Sequence, residues 1–318
     1  MKRLFIIIIG FLFIGIIVFE AYLRITSFSF NSPLFEEDIP FINRKNVQAE
    51  KLYQFDFYLF WKYRLSVDKQ TNNRGFRDRE FLEVKKSQFR IIALGDSCTA
   101  GHQLPPEKTY SKYLESFLND GYKIKNYEVI NAGVPGYTSF QGLRYFRIIT
   151  NKYHPDLLIV FYGTSDRSRA RYADKELSYT RLIKLSFFRF LGAHVRTAQF
   201  IMKRLVNVDS IQWKTRVIPE DYIKNLVKIA HEASKNNIKV IFIKPCLRIE
   251  LETSKEDNSY IPPQPYINLY KVFSGYAGGG SERVFFDFKH FTELGQKLLA
   301  EEIYRELVNS QVIKLDKK

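Results

Sequence analysis

The sequence predicts an α/β protein in which helices cover both faces of a parallel sheet. From residue 89 onward, short continuous apolar runs alternate with longer segments whose apolar residues recur at helical spacing. Continuous apolar runs are typical of strands that are buried on both faces. Four polar clusters directly follow such runs, and the carboxyl ends of parallel strands are where sites form in these sheets.

The individual elements follow from this alternation. Five apolar runs predict strands: 90–94, 127–131, 156–163, 239–245 and 283–287. Four amphipathic segments predict helices: 109–119, 140–153, 219–237 and 292–307. The third helix is the clearest, because Pro219 suits a first helical turn and acidic residues follow it near the positive end of the helix dipole.

Residues 1–24 predict a membrane anchor. Lys2 and Arg3 precede an uncharged apolar run over 4–19, which becomes long enough to cross a bilayer core when it is extended through Leu23. The two basic residues favour a cytoplasmic N-terminus, although Arg24 reduces the asymmetry. A cleaved signal peptide is the alternative, but no small-x-small cleavage site follows the run. With an uncleaved anchor, the rest of the chain lies outside the cytoplasmic membrane.

An aromatic-rich connector is predicted over residues 25–88. Its segment FDFYLFWKYRL (55–65) predicts either one strand or a short hairpin. The segment NNRGFRDREF (72–81) has Gly75 among polar residues and predicts a turn. The connector leads into the predicted α/β domain over 89–310.

Residues 167–216 interrupt the alternation within that domain. They contain twelve Lys or Arg and three Asp or Glu, a net charge of +9 out of +15 for the chain. Apolar residues are interleaved with the charges, so we interpret the segment as a helical insertion. It is either a cap over the sheet edge or a solvated basic helix pair packed on the core. Its basic face suits anionic head groups or an acidic polymer.

The composition limits the other partners. Nucleic acid is not a predicted partner, because the chain has no recognised nucleic-acid-binding motif and begins with the anchor. Cys98 and Cys246 form neither a disulfide framework nor a zinc-ligand spacing, and we predict free thiols. No metal and no cofactor are predicted. The sequence does not determine the oligomeric state.

Ser97 lies at the end of the first predicted strand, in RIIALGDSCTAG (90–101). It is either a nucleophile or the N-cap of the next helix. A serine nucleophile needs a base for its proton and a third group that holds the base in one tautomer. Among the five histidines, His290 suits this role best, because it follows a predicted strand and Asp287 lies three positions before it. His102 is at best a lining residue.

Acyl transfer also needs donors for the negative charge that develops on the carbonyl oxygen. The N–H of Ser97 at a helix start is one candidate. Gly136 is a second, since glycine lets the backbone approach a substrate closely. The cluster GTSD (163–166) can supply a side chain.

Four segments together resemble the motif blocks of the SGNH/GDSL hydrolase superfamily. They are GDSCTAG (95–101), NAGVPG (131–136), GTSD (163–166) and DFKH (287–290), in the order of that superfamily. The resemblance covers residues 89–307, and the anchor followed by NRGFRD is similar to membrane-tethered bacterial members.

The resemblance implies a flavodoxin-like, three-layer α/β/α sandwich with a five-stranded parallel sheet. It implies metal-free ester hydrolysis or acyl transfer, with Ser97 as nucleophile, His290 as base and Asp287 as its orienting partner. The implied oxyanion hole consists of Ser97, Gly136 and the third-block residue, Ser165.

One position departs from the motif, because Ser165 stands where the superfamily has asparagine. A hydroxyl is shorter than an amide and can rotate away. Three outcomes are open: Ser165 donates, another residue such as Thr164 or an arginine of the insertion replaces it, or the protein is a weak or inactive enzyme. We also name Thr164, Asp166 and Arg216 as candidate substrate contacts.

The function predicted from the sequence is a membrane-anchored serine esterase or acyltransferase. Its substrate would be an acylated glycan or lipid outside the cytoplasm. The alternative is a catalytically weak or inactive protein of the same fold that binds an acidic glycan or an anionic lipid.

Overall fold

The computed structural model describes residues 2–30, 51–67, 70–120, 127–205, 212–277 and 279–313. Residues 31–50 of the predicted connector and 206–211 of the predicted insertion lie outside the described residues. The strands, in chain order, are β1 (Tyr53–Asp56), β2 (Phe60–Tyr63), β3 (Phe89–Gly95), β4 (Tyr127–Gly133), β5 (Leu157–Phe161), β6 (Arg169–Ala170), β7 (Lys214–Thr215), β8 (Lys239–Lys244) and β9 (Tyr266–Asn268). The helices are α1 (Lys2–Ile25), α2 (Ser97–Ala100), α3 (Tyr110–Asn119), α4 (Ser139–Tyr153), α5 (Tyr179–His194), α6 (Arg196–Leu205), α7 (Pro219–Lys235), α8 (Arg248–Glu252), α9 (Leu269–Phe273) and α10 (Glu293–Asn309).

A five-stranded parallel sheet lies at the centre, with the strand order β4-β3-β5-β8-β9. The end of β3 is in register with the ends of its two neighbours, because Gly95 pairs with Gly133 of β4 and with Phe161 of β5. The loops that follow these three strands therefore begin at the same level on one sheet edge. This confirms the predicted α/β fold with a five-stranded parallel sheet.

Side chains of β3 enter two separate cores, one on each face of the sheet. Ile92 and Leu94 belong to one core, which also receives residues of α4 and α7. Ile91 and Ala93 belong to the other, which receives residues of α3 and α10. Because successive residues of a strand point to opposite faces, one continuous apolar strand supplies both helical layers. The result is the three-layer sandwich.

The prediction of the fifth strand at 283–287 is wrong. That segment follows a 3₁₀ turn at Ser281–Arg283 and makes only an isolated bridge between Phe285 and Phe291. Phe285 is nevertheless fully buried, so its apolar character reflects the packing of a loop in the core. The fifth strand is β9, whose three residues pair with β8 just after a proline-rich stretch that obscures the strand pattern.

The connector contributes a β1–β2 hairpin, so the hairpin alternative holds and the single-strand alternative does not. The Asp56 carboxylate closes its turn by accepting hydrogen bonds from the N–H groups of Tyr58 and Leu59. Gly75 has a φ of +75°, which agrees with the predicted turn. Trp61 of β2 is buried against the sheet domain.

The insertion contains α5 and α6, and the short antiparallel pair β6–β7 closes its base. Helix α6 packs against the N-terminal helix α1. Residues Arg3–Ile25 of α1 form the only helix within the described ranges that is long and apolar enough to cross a membrane, a property that signal sequences share. The domain boundaries at 1–24, 25–88, 89–310 and 167–216 stay predictions.

Candidate active site

Ser97 is the first residue of α2, and the N-cap is Asp96. The Asp96 carboxylate accepts a hydrogen bond from the Cys98 N–H at 2.9 Å, which is the capping interaction. The hydroxyl of Ser97 is therefore not used for capping. This decides between the two interpretations of the GDS segment, because the aspartate caps the helix and leaves the serine hydroxyl for other contacts.

His290 and Asp287 lie next to Ser97, although 193 residues separate the histidine from the serine in the sequence. The Ser97 Oγ lies 2.8 Å from His290 Nε2, and His290 Nδ1 lies 2.6 Å from Asp287 Oδ2. The other Asp287 oxygen accepts hydrogen bonds from the N–H groups of Lys289 and His290. The structure thus brings the three predicted residues into one hydrogen-bonded chain, in which Asp287 fixes the imidazole orientation.

Electrostatics favours a neutral His290 imidazole in this series of hydrogen bonds. Burial lowers the pKa of His290 below its ordinary value, and the contribution of Asp287 in the opposite direction does not offset it. Burial acts to raise the pKa of Asp287, but the hydrogen bonds from His290 and from two backbone N–H groups bring it below its ordinary value. At neutral pH, a carboxylate accepts from Nδ1–H while Nε2 is free to accept the serine proton.

Aromatic rings surround the exposed side of His290. The His102 ring centroid lies 4.4 Å from that of His290, and Phe286 stacks on His290 at 5.7 Å. Phe288 is exposed beside them. Burial, and secondarily the nearby His290, lower the pKa of His102. His102 lines the site as predicted, whereas the sequence analysis missed the role of the two phenylalanines.

The second motif block (131–136) ends in a loop after β4, and two side chains donate hydrogen bonds to the backbone of that loop. Trp61 Nε1 donates to the carbonyl oxygen of Pro135 at 3.1 Å, and Arg216 Nη1 donates to the carbonyl oxygen of Gly136 at 2.7 Å. Gly136 has a φ of +77°, a conformation that favours glycine. These bonds fix the peptide planes on both sides of Gly136.

Among the residues that the structure describes, the backbone N–H groups of Ser97 and Gly136 have no hydrogen-bond acceptor. In a trans peptide the N–H points away from the preceding carbonyl oxygen. The bond from Trp61 to Pro135 therefore also sets the direction of the Gly136 N–H. The assignment of these two N–H groups as oxyanion donors stays a prediction.

The structure does not place Ser165 as an oxyanion donor, contrary to the prediction. Its hydroxyl donates to Asp96 Oδ2 at 2.9 Å, and its N–H donates to the same oxygen at 3.2 Å. The hydroxyl of Thr164 also donates to Asp96. A hydroxyl has one proton, so neither side chain has a second one for a substrate oxygen. Instead, Thr164 and Ser165 of the third motif block bind Asp96, the aspartate that caps α2 beside Ser97.

In this structure the predicted substrate contacts Asp166, Arg216 and Thr164 are buried and bound to other protein groups. Asp166 is fully buried and accepts hydrogen bonds from Ser139 and from the Gly163 N–H, and burial raises its pKa to about 7. Arg216 is 4% exposed and pairs with Asp174. Thr164 is committed to Asp96. All three organise the loops beneath the site, and local spacing could not reveal their buried partners.

Both cysteines are free, as predicted, and both are buried. Strand β5 lies between β3 and β8, the strands that precede Cys98 and Cys246. Burial raises the pKa of both thiols. In the part of the chain that the structure describes, no group of three or more His, Cys, Asp or Glu could hold a metal ion.

Comparison with known proteins adds a family match. The model of the GDSL-like Lipase/Acylhydrolase family matches residues 93–261. An arylesterase from Vibrio mimicus is 29% identical over 113 residues, which cover 35% of this chain and 54% of that protein. The chain thus matches about half the length of this curated relative. The family match ends before DFKH, so only the geometry connects Asp287 and His290 to the matched region.

Solved structures with a similar fold have low sequence identity. A lipase/acylhydrolase from Enterococcus faecalis has 20% identity and a TM-score of 0.45, covering 72% of this chain and 99% of that chain. An acetylxylan esterase from Geobacillus stearothermophilus has 17% identity and a TM-score of 0.44, covering 70% of this chain and 94% of that chain.

Proposed function

Since the family model covers more than half of the chain, the protein belongs to the GDSL-like lipase/acylhydrolase family, and we propose that it is a serine esterase. We also propose that its N-terminal helix anchors it in a membrane. The observation that carries the proposal is the hydrogen-bonded chain from Ser97 through His290 to Asp287. The family match supports a serine hydrolase. The residue roles, the membrane attachment and the substrate class are proposals that rest on the geometry.

In the proposed reaction, Ser97 Oγ attacks the ester carbonyl carbon while His290 Nε2 takes the hydroxyl proton. Asp287 keeps the imidazole in the required tautomer and stabilises its protonated form. The tetrahedral intermediate then expels the alcohol, which receives the proton from His290. Water hydrolyses the resulting acyl-enzyme with His290 as base, releasing the acid and restoring Ser97. A sugar hydroxyl in place of that water would make the reaction an acyl transfer.

The proposed oxyanion hole consists of the N–H groups of Ser97 and Gly136. Trp61 and Arg216 support it as positioning residues, because they fix the peptide planes around Gly136. The hole lacks the side-chain donor that the family motif supplies at position 165. Loss of one such donor costs on the order of 3 kcal/mol in comparable sites. We therefore expect a working but modest esterase.

Contacts of α1 with the insertion support an uncleaved anchor. The Glu20 carboxylate accepts hydrogen bonds from the N–H groups of Arg196 and Thr197, the first two residues of α6. Arg24 donates to the carbonyl oxygen of His194. A signal peptide would be removed, whereas here the end of α1 provides the N-terminal capping of another helix. We propose a cytoplasmic N-terminus with the catalytic domain outside.

The proposed substrate is an acylated glycan or lipid at that membrane. The aromatic side chains beside His290 offer an apolar surface for an acyl group. The second candidate function is a catalytically weak or inactive protein that binds an acidic glycan or an anionic lipid. One observation favours it, because the Ser165 hydroxyl is committed to Asp96 and leaves the site with backbone donors only.

A fluorophosphonate probe and 4-nitrophenyl acetate test the proposal on the full chain in detergent. We expect labelling of Ser97, and we expect Ser97→Ala to abolish labelling and lower turnover by about 10⁴-fold or more. The thermal unfolding midpoint of the variant serves as the folding control. Equal turnover by the two proteins would contradict the esterase. A folded wild-type protein that neither labels nor turns over substrate would support the binding alternative.

A further inference from the structure

Helix α5 presents an apolar stripe to solvent. Tyr179, Ile183, Phe187 and Phe190 are separated by four, four and three positions, so they lie on one face of the helix. They are 61%, 42%, 57% and 58% exposed. The opposite face supplies buried Leu182 to the core. The helix thus has one face packed against the protein and a second apolar face that the fold does not cover.

The charge around this stripe has one sign. Residues 179–205, which span α5 and α6, contain six Lys or Arg and no Asp or Glu. An exposed aromatic stripe combined with cationic residues is typical of helices that lie in the headgroup region of anionic membranes. Exposed aromatic rings are unfavourable on a helix that faces only water. The positive charge and the apolar stripe together therefore point to a lipid surface.

The position of the helices relative to α1 supports the same partner. The α5–α6 junction is attached to the end of α1 through Glu20 and Arg24, and Phe19 packs against Phe200 at 5.2 Å. Glu20 lies about 27 Å along the helix axis from Lys2, close to the thickness of a bilayer core. If α1 spans the membrane, α5 and α6 lie at its outer surface.

We propose that α5 and α6 form a membrane-surface platform that lies on anionic phospholipid head groups beside the anchor. This inference rests on the membrane attachment in the proposed function. The exposed stripe of α5 enters the headgroup region, and the cationic residues face lipid phosphates. The α1 residues just before this contact, Ile16, Ile17 and Val18, are also apolar and exposed. The insertion therefore gives the enzyme a second contact with the membrane.

A fluorescent probe at the stripe tests the proposal. The full-length Phe187→Cys variant is labelled with bimane and reconstituted in vesicles of phosphatidylcholine with or without phosphatidylglycerol. Native Cys98 and Cys246 are buried, so the introduced thiol reacts preferentially. Val84→Cys is the matched control, since Val84 is 75% exposed near the start of β3, at the opposite sheet edge. Brominated lipids then report the proximity of each probe to the bilayer.

We expect brominated lipids to quench the probe at residue 187 at least threefold more than the probe at residue 84. Phosphatidylglycerol should increase the difference, and Lys184→Glu with Lys203→Glu should reduce it. If the chain stays with the vesicles after alkaline carbonate washing but both probes are quenched equally, the platform proposal is wrong and the anchor proposal stands. Release of the chain by that wash overturns the anchor and the platform together. Protection of the probe at residue 187 in lipid-free detergent would assign the stripe to a second copy of the chain, which also overturns the proposal.

Discussion

The two halves of the proposed site are built in different ways. On the nucleophile side, Asp287 and His290 belong to one four-residue motif, and the carboxylate is held by backbone groups of that same motif. On the oxyanion side, Gly136 depends on Trp61 and Arg216, which are 74 and 80 residues away from the carbonyl groups they bind. A local motif sets the base, whereas tertiary packing sets the donor. Substitutions should therefore affect the two halves differently.

The largest effect is expected on the nucleophile side, from Asp287→Asn. An amide at this position can donate to Nδ1, so Nε2 carries the proton and cannot accept one from Ser97. We expect kcat to fall by about 10³- to 10⁴-fold with little change in KM. Steady-state kinetics with 4-nitrophenyl acetate measures this. A loss of less than tenfold would show that the carboxylate does not orient the base.

The pH profile of the same pair of proteins adds a second readout. Activity requires neutral His290, so kcat/KM should rise with pH through a pKa below 6.5 and stay level above neutrality. The Asp287 carboxylate stabilises the imidazolium and so raises the pKa of His290. Its removal should move the acid limb to lower pH. A shift of the limb to higher pH would contradict the assigned contact.

A smaller effect is expected on the oxyanion side, from Trp61→Phe. Phenylalanine keeps most of the apolar packing but removes the donor to the Pro135 carbonyl oxygen, which leaves the Gly136 N–H less well aimed. We expect kcat and kcat/KM to fall together by about tenfold, less than the 10²- to 10³-fold for a fully lost donor. The pH profile should not move.

Tyr137→Phe is the matched control for that variant. The Tyr137 hydroxyl donates to the Trp61 carbonyl oxygen at 2.6 Å, so its removal weakens the same contact between hairpin and loop without touching the Pro135 carbonyl. Comparable rate losses in the two variants would show that hairpin docking matters and that the Trp61 donor itself does not.

The smallest effect is expected from Ser165→Ala. Because its hydroxyl donates to Asp96, its removal should lower kcat by less than threefold and reduce the free energy of unfolding by about 1 kcal/mol. Activity assays and denaturant unfolding measure the two quantities. A loss of kcat near 100-fold at unchanged stability would return Ser165 to the oxyanion hole.

The sequence predicted most of the sheet because its strands are buried on both faces and therefore read as continuous apolar runs. The exception is instructive. Val284 and Phe285 are as apolar as any strand residue, yet they fill a core between loops, while the strand Tyr266–Asn268 is too short to produce a pattern. Apolarity reports burial, and only length and spacing report the backbone conformation.

The same distinction separates the site residues that were predicted from those that were not. Ser97, Asp287 and His290 belong to motifs, and the structure brings them together. The contact of Trp61 with Pro135 depends on how a hairpin docks, which no spacing encodes. The burial of Asp166 and Arg216 depends on their ion-pair and hydrogen-bond partners in other loops. Motifs identified the reacting groups, and the chain's packing identifies what holds them.

The attachment of Glu20 to the start of α6 has a consequence for how the protein is made and handled. Glu20 precedes its capping partner by 176 residues, so this corner of the fold closes only after the intervening chain has been made. A version that lacks the first 25 residues loses the Glu20 acceptor at the start of α6 and the Phe19 ring that packs against Phe200. Helix α1 is thus a folded component of this protein, and its truncation alters the product.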